Sequence, residues 1–326
     1  MNSIEPVLQE DKNRFVIFPV KHHDIWDWYK EMEACFWTAS EIDLHQDLND
    51  WNNKLAQSER AYIRHLLAFL AISHPTLNKD LTQKTEQEVQ YPEARYFYGF
   101  QIMMENIHAE TYSLLMNTYV KEDNERLNLF TGLKNSPAIS KKIKWAVDYR
   151  NSGSFAERLI ATAVIKRIFS AAAFCSFSWL KNRGLMPGLR FSNELISRDQ
   201  TVYGNFAIHL LSQHLINKVS NERIREIILE ACKIEQEFIK DSLPVNLIGM
   251  NAQLMTSYIE FVADALLTDF NCEKEFNTSN PFDFMVEAGQ RNQNLFAKRV
   301  GAYQKGGIVN KAMDTNKINI KPEFKR

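Results

Sequence analysis

Glu105 and His108 stand three residues apart in Glu105-Asn106-Ile107-His108, the one Glu-x-x-His in the chain. On a helix, side chains at that spacing share a face, so a carboxylate and an imidazole can grip one metal ion together. A two-metal centre in a four-helix bundle uses the motif twice and adds one carboxylate from each of two further helices. None of the other histidines forms a second copy. Taken alone, the pair equally fits a partly buried histidine hydrogen-bonded to a carboxylate. The neighbours Phe97, Phe100, Ile102 and Tyr112 favour a buried site, and a buried Glu105 needs a metal, a cation or a proton to offset its lost hydration. Tyr112, four residues after His108, falls on the same helical face.

The elements that must position these residues read as helices. Glycine (11) and proline (9) are scarce in 326 residues, and long stretches run without breakers, which points to an all-α fold. A short aromatic-rich helix is expected over Ile25–Trp37. A longer one should start at Ser58 and run towards Thr85, kinked or broken at Pro75. Pro92, suited to a first turn, opens a helix to about Tyr119 that carries Glu105 and His108 at its middle. Shorter helices are expected over Glu125–Leu133 and Ile139–Arg150. Two long ones follow, Phe155–Lys181 and Leu189–Leu215, separated by Gly184-Leu185-Met186-Pro187-Gly188. Amphipathic helices near Asn221–Lys240 and Asn251–Asp269 complete the set.

Composition narrows the function classes. The net charge of −1 leaves no electrostatic footprint for nucleic acid. Cys35, Cys175, Cys232 and Cys272 show no zinc spacing and suit a reducing compartment. The polar start of the chain lacks a signal-peptide core, and the apolar run Leu159–Leu180 contains Lys166 and Arg167, so a buried helix is expected rather than a membrane span. A soluble, cytoplasmic protein is the expectation. Residues 1–11 read as a flexible N-terminus, 12–305 as one helical domain, and 306–326, rich in glycine, asparagine and lysine, as a disordered tail.

Several long segments carry a resemblance. They include Phe18-Pro19 with His23-Asp24-Ile25-Trp26, Phe36-Trp37-Thr38-Ala39, and Phe97-Tyr98-Gly99-Phe100-Gln101-Ile102. Others are Gly184-Leu185-Met186-Pro187-Gly188-Leu189, the run Phe191 to Asp199, Ile259-Glu260-Phe261-Val262-Ala263-Asp264, and Asn280-Pro281-Phe282-Asp283-Phe284-Met285. On these, the chain resembles the small, radical-generating subunit of class I ribonucleotide reductase over nearly its whole length. The resemblance implies a ferritin-like helical bundle with additional helices, a dimer, and a large catalytic subunit as partner. It further implies six side chains holding two irons beside a tyrosine oxidised to a stored radical. Glu105 and His108 match two of those ligands, and Tyr112 matches the radical tyrosine. His108, Asp199 and Trp37 match the radical relay, Tyr303 the tail tyrosine that hands the radical on, and Phe324 the C-terminal anchor for the large subunit. That anchor is followed here by Lys325 and Arg326, without the family's acidic run.

The other four ligand positions depart from the family pattern. His74 stands for an aspartate, Lys166 for a glutamate, and Gln200 and Tyr203 for the second Glu-x-x-His. Gln200 offers a neutral carbonyl, Tyr203 ligates only as a phenolate, and a protonated Lys166 ligates nothing. Glu157, about 13 Å along the helix from Lys166, and Asp199, about 100° around from Gln200, do not substitute. The expectation is therefore a Lys166–Glu105 ion pair in place of metal, no cofactor of its own, and iron at most weakly or partially held. The chain is expected to act as an assembly or regulatory partner of an intact small subunit, as a heterodimer with it or as a homodimer. The alternative is an active radical-generating subunit with an altered site built on His74, Glu105, His108 and Tyr112. An unrelated ferritin-like iron store fits the long matches and the basic Lys166 less well.

Overall fold

Helix starts in this chain carry the residues that satisfy free backbone N–H groups. In the computed structural model, which describes residues 4–73, 77, 80–151, 154–243 and 250–285, Ser154, Ser220 and Asn251 accept from the backbone N–H groups of Glu157, Arg223 and Leu254. Twelve α-helices are found among the described residues: α1 His23–Ala34, α2 His45–Asn53, α3 Gln57–Ser73, α4 Asp80–Glu88, α5 Pro92–Tyr119 and α6 Asp123–Lys134. The rest are α7 Pro137–Asn151, α8 Phe155–Arg167, α9 Ala171–Trp179, α10 Pro187–His209, α11 Asn221–Ser242 and α12 Ala252–Asp269. Helix α8 packs along α10, α5 against α1, α3 and α4, and α11 against α7 and α12. The core lies between α3, α5, α8 and α10, with Leu66, Leu67, Met104, Leu159, Val164 and Phe206 fully buried.

Two expected helices are broken, for reasons local propensity does not register. The single helix expected over Phe155–Lys181 is α8, a turn at 168–170, α9 and a 3-10 turn at Leu180–Arg183. At the turn Val164 O accepts from both Ile168 N (2.7 Å) and Phe169 N (3.3 Å), slipping the ladder by one residue. The carbonyl of Phe169 instead accepts from Lys142 Nζ at 3.4 Å. The helix expected to Leu215 leaves α geometry after His209 and ends in a π turn, Leu210–His214. The apolar run itself is core, since 94 % of its most hydrophobic window is buried inside the protein.

Helix α2 was not anticipated, because its asparagines and aspartates are weak helix formers. Its role is tertiary. Asp47 accepts from the backbone N–H of Gly188 (2.8 Å) and Leu189 (2.7 Å) and from the Tyr119 hydroxyl (2.6 Å), while Asp50 accepts from Met186 N (2.8 Å). These carboxylates cap the start of α10, where Pro187 sits in the first turn. The approach is close enough that a Cβ on Gly188 would meet Asp43 O at 2.3 Å, and Gly184, at φ +64°, takes the left-handed turn. Both glycines are required by this corner.

The opening residues, expected as flexible, include a buried Val7 whose carbonyl accepts from Gln90 N at 2.7 Å. Glu5 likewise accepts from the backbone N–H groups of Ile216 and Asn217. His74, Tyr303 and Phe324, and the tail from 306, lie outside the described residues.

Candidate functional site

Four helices converge on a buried polar centre. Helix α5 contributes Glu105, His108 and Tyr112, α8 contributes Lys166, and α10 contributes Asp199, Gln200 and Tyr203. Ser73 and Leu77 bring the end of α3 and the residues beyond it to a small cavity shared with Tyr112 and Gln200. The spacing of three between Glu105 and His108, and of four to Tyr112, puts all three on the inner face of α5, and each is buried.

Lys166 Nζ donates to Glu105 Oε1 at 2.5 Å, with both side chains 1 % exposed. Helix α8 is buried on nearly every side, so Lys166 is placed inward by its helix rather than by any polar stripe. Burial lowers the Lys166 pKa, and the Glu105 charge offsets part of that loss. Gln200 Nε2 lies 3.4 Å from Glu105 Oε2 and 3.2 Å from His108 Nδ1. The reverse amide orientation would set its carbonyl oxygen against the Glu105 carboxylate, so the amide acts as a donor to both. Glu105 is thus faced by an ammonium and an amide N–H.

His108 bridges this pair to a second network. Its Nε2 donates to Asp199 Oδ2 at 3.0 Å, and the same oxygen accepts from Trp37 Nε1 at 2.9 Å. The Trp37 and His108 rings stack with centroids 5.7 Å apart. Arg198, which the sequence reading passed over, donates to Asp199 Oδ1 at 2.8 Å and to Cys35 O at 3.1 Å. Burial alone would depress the His108 pKa, but its hydrogen bond to Asp199 and the nearby carboxylates of Asp199 and Glu105 outweigh it and raise the value. The Gln200 amide opposes a second proton, because it needs a bare Nδ1. The carboxylates of Glu105 and Asp199 are each met by a cation, Lys166 and Arg198.

The remaining groups are neutral. The Tyr203 ring lies 5.4 Å from Lys166 Nζ, and its hydroxyl has no hydrogen-bond partner among the described residues. Burial pushes its phenol well above the ordinary range, and the charges of Asp199 and Glu105 push further. Burial and the Glu105 charge raise the Tyr112 phenol in the same way. Neither phenol ionises unaided at neutral pH. Among the described residues, no three His, Cys, Asp or Glu side chains at this centre bring one ligand atom each within 4.8 Å of the others.

The helical bundle closed around an internal polar centre places the protein in the ferritin-like class. The sequence matches the family described as "Ribonucleotide reductase, small chain" over residues 14–281, and the chain belongs to that family. It is 54 % identical over 310 residues to a ribonucleoside-diphosphate reductase small chain of Neurospora crassa, covering 94 % of this chain and 75 % of that one. It is 49 % identical over 323 residues to ribonucleoside-diphosphate reductase subunit M2 of Homo sapiens, covering 98 % and 82 %. Among solved structures it is similar to the Rnr4 homodimer of ribonucleotide reductase from Saccharomyces cerevisiae, with a TM-score of 0.80 and 41 % identity over 90 % of this chain and 93 % of that one. The dimanganese(II)-NrdF of Streptococcus sanguinis, at 15 % identity, a TM-score of 0.76 and coverage of 84 % and 98 %, shares the fold.

Proposed function

We propose that this chain is a ribonucleotide reductase small subunit that does not assemble a di-iron and tyrosyl-radical centre of its own, and that it serves as an assembly or regulatory partner of an intact small subunit. The observation that carries this reading is the Lys166–Glu105 contact at 2.5 Å. A cation built into the chain neutralises the buried carboxylate, and the Gln200 amide donates where a ligand would have to accept. Two metal ions need several anionic oxygen ligands at such a centre. Glu105 and His108 are the ligands of ordinary type facing it from α5, and Asp199 is engaged by Arg198, Trp37 and His108. The described donor set does not fit a di-iron cluster.

Partnership with a second small-subunit chain is supported by an apolar surface on α1 and α5. Tyr96, Phe100 and Met103 follow one another at helical spacing, Tyr96 and Met103 being 45 % and 41 % exposed. Trp26, Tyr29 and Phe36 pack beside them at ring distances of 5.9, 5.6 and 6.5 Å. Such a face suits an obligate dimer. Engagement of the large catalytic subunit through Tyr303 and Phe324 belongs to the same proposal.

The intact hydrogen-bond chain Trp37–Asp199–His108, with Tyr112 one turn beyond, favours a second reading in which an altered site on His74, Glu105, His108 and Tyr112 still generates a radical. Metal content and electron paramagnetic resonance separate the two. The chain alone, supplied with iron and oxygen, should hold far less than about two irons per chain and give no tyrosyl signal. A variant carrying His74→Asp, Lys166→Glu, Gln200→Glu and Tyr203→His should gain iron. Near-stoichiometric iron in the natural chain, with a radical abolished by Tyr112→Phe, would overturn the first reading.

A further inference from the structure

A second set of ligand-bearing side chains lies on the surface, away from the buried centre. Asp24 in the first turn of α1 accepts at Oδ2 from His209 Nε2 (2.7 Å) and from His214 Nε2 (2.6 Å). Among the described residues, this is the trio of His, Cys, Asp and Glu side chains whose ligand atoms all fall within 4.8 Å of one another. We propose that Asp24, His209 and His214 form a metal site that takes one Zn²⁺ ion and leaves a coordination position open to solvent.

The backbone is shaped for this arrangement. On an α-helix, residues five apart point about 140° away from each other, so His209 and His214 would diverge. The π turn at Leu210–His214 widens the helix to i→i+5 pairing and brings residues five apart close to one face. Such turns are rare and concentrate at functional sites. The rings are held from behind: His209 packs on Trp28 at 5.9 Å, and His214 lies edge-on to His22 at 5.6 Å and to Tyr91 at 6.0 Å. The side chains remain accessible, at 43 %, 22 % and 13 % exposure for Asp24, His209 and His214.

Two imidazoles and one carboxylate are a zinc-type set, whereas calcium and magnesium take oxygen ligands. Around a tetrahedral zinc with bonds of about 2.0–2.1 Å, ligand atoms stand roughly 3.3 Å apart. The two Asp24–imidazole separations of 2.7 and 2.6 Å need to open by only about 0.6–0.7 Å, within reach of small side-chain rotations, as the ion replaces the two Nε2 protons shared with Asp24. Zinc here would clip the start of α1 to the end of α10, the helix that carries Asp199, Gln200 and Tyr203.

The test is isothermal titration of the full, tag-free, chelator-stripped chain with Zn²⁺, and with Co²⁺ as a spectroscopic probe. The expected result is one ion per chain, a tetrahedral cobalt spectrum, and a thermal midpoint that rises with zinc. His209→Gln with His214→Gln should weaken binding at least ~100-fold, and Asp24→Asn should weaken it less but clearly. Circular dichroism and the midpoint without metal show that the variants fold. A Gln200→Ala chain, altered only at the buried centre, should bind zinc unchanged, so failure here is distinct from failure of the buried-site reading. Absence of zinc binding in the natural chain, or binding unchanged in the double histidine variant, would overturn the proposal.

Discussion

Replacing Lys166 with methionine keeps the volume and removes the charge that faces Glu105. Glu105 is 1 % exposed, so its carboxylate would then be left in the core with the Gln200 amide as its neutral donor. Breaking a buried ion pair from one side destabilises by about 3–5 kcal/mol, whereas replacing both partners with apolar residues is close to neutral. For a chain of this length the unfolding entropy is about 0.7 kcal/mol per kelvin, so Lys166→Met should lower the thermal midpoint by roughly 4–7 °C. Lys166→Met combined with Glu105→Leu should recover most of that loss. Differential scanning calorimetry of the natural chain, both single variants and the double variant closes the cycle. A coupling between the two sites below about 0.5 kcal/mol would refute the claim that Lys166 neutralises Glu105. So would a Lys166→Met chain that unfolds no earlier than the natural one.

Other perturbations follow from the same physics. Glu93 is held at a pKa of about 2: burial works against this, but a bidentate Arg14 and the backbone N–H groups of Lys21 and His22 outweigh it. Its stabilisation, on the order of 3 kcal/mol, is present above its ordinary value of 4.5 and is lost as pH falls towards 2, so urea midpoints of the natural chain and Glu93→Gln should converge on acidification. Glu235, fully buried against Lys142, is pushed up to about 7 by burial despite that lysine. Stability should therefore decline as pH rises from about 4.5 to 7 in the natural chain, and in Lys142→Met the decline should continue to higher pH, widening the gap between the two above pH 7. Gly188→Ala should destabilise by about 2 kcal/mol or more in chemical denaturation, because its Cβ would meet Asp43 O at 2.3 Å.

Much of the helix map was legible: α5, α6, α7, α11 and α12 follow apolar periodicity, α5 opens on Pro92, and α11 and α12 start at the capping residues Ser220 and Asn251. The breaks were not. The slip at Val164–Phe169 and the π turn after His209 are choices among backbone hydrogen bonds that differ little in local energy, and they are fixed by what packs around them. Helix α2 was invisible for a related reason: Asp47 and Asp50 hold the start of α10, more than 130 residues away, a role no local pattern reveals. Arg198 was overlooked beside Asp199 because adjacency in sequence does not reveal that a guanidinium folds back onto its neighbour.

The sequence by itself determined the family, the faces of α5 and α10, and the chemical types at the positions facing the buried centre, because helical spacing and residue identity are local properties. Only the tertiary structure decided how those types meet. Whether Lys166 points to Glu105 or to solvent depends on the rotation of α8 against α5, and whether Gln200 donates or accepts depends on the carboxylate already there. The trio of Asp24, His209 and His214 was beyond any periodicity, since it joins two helices through a turn whose geometry departs from the period used to read them.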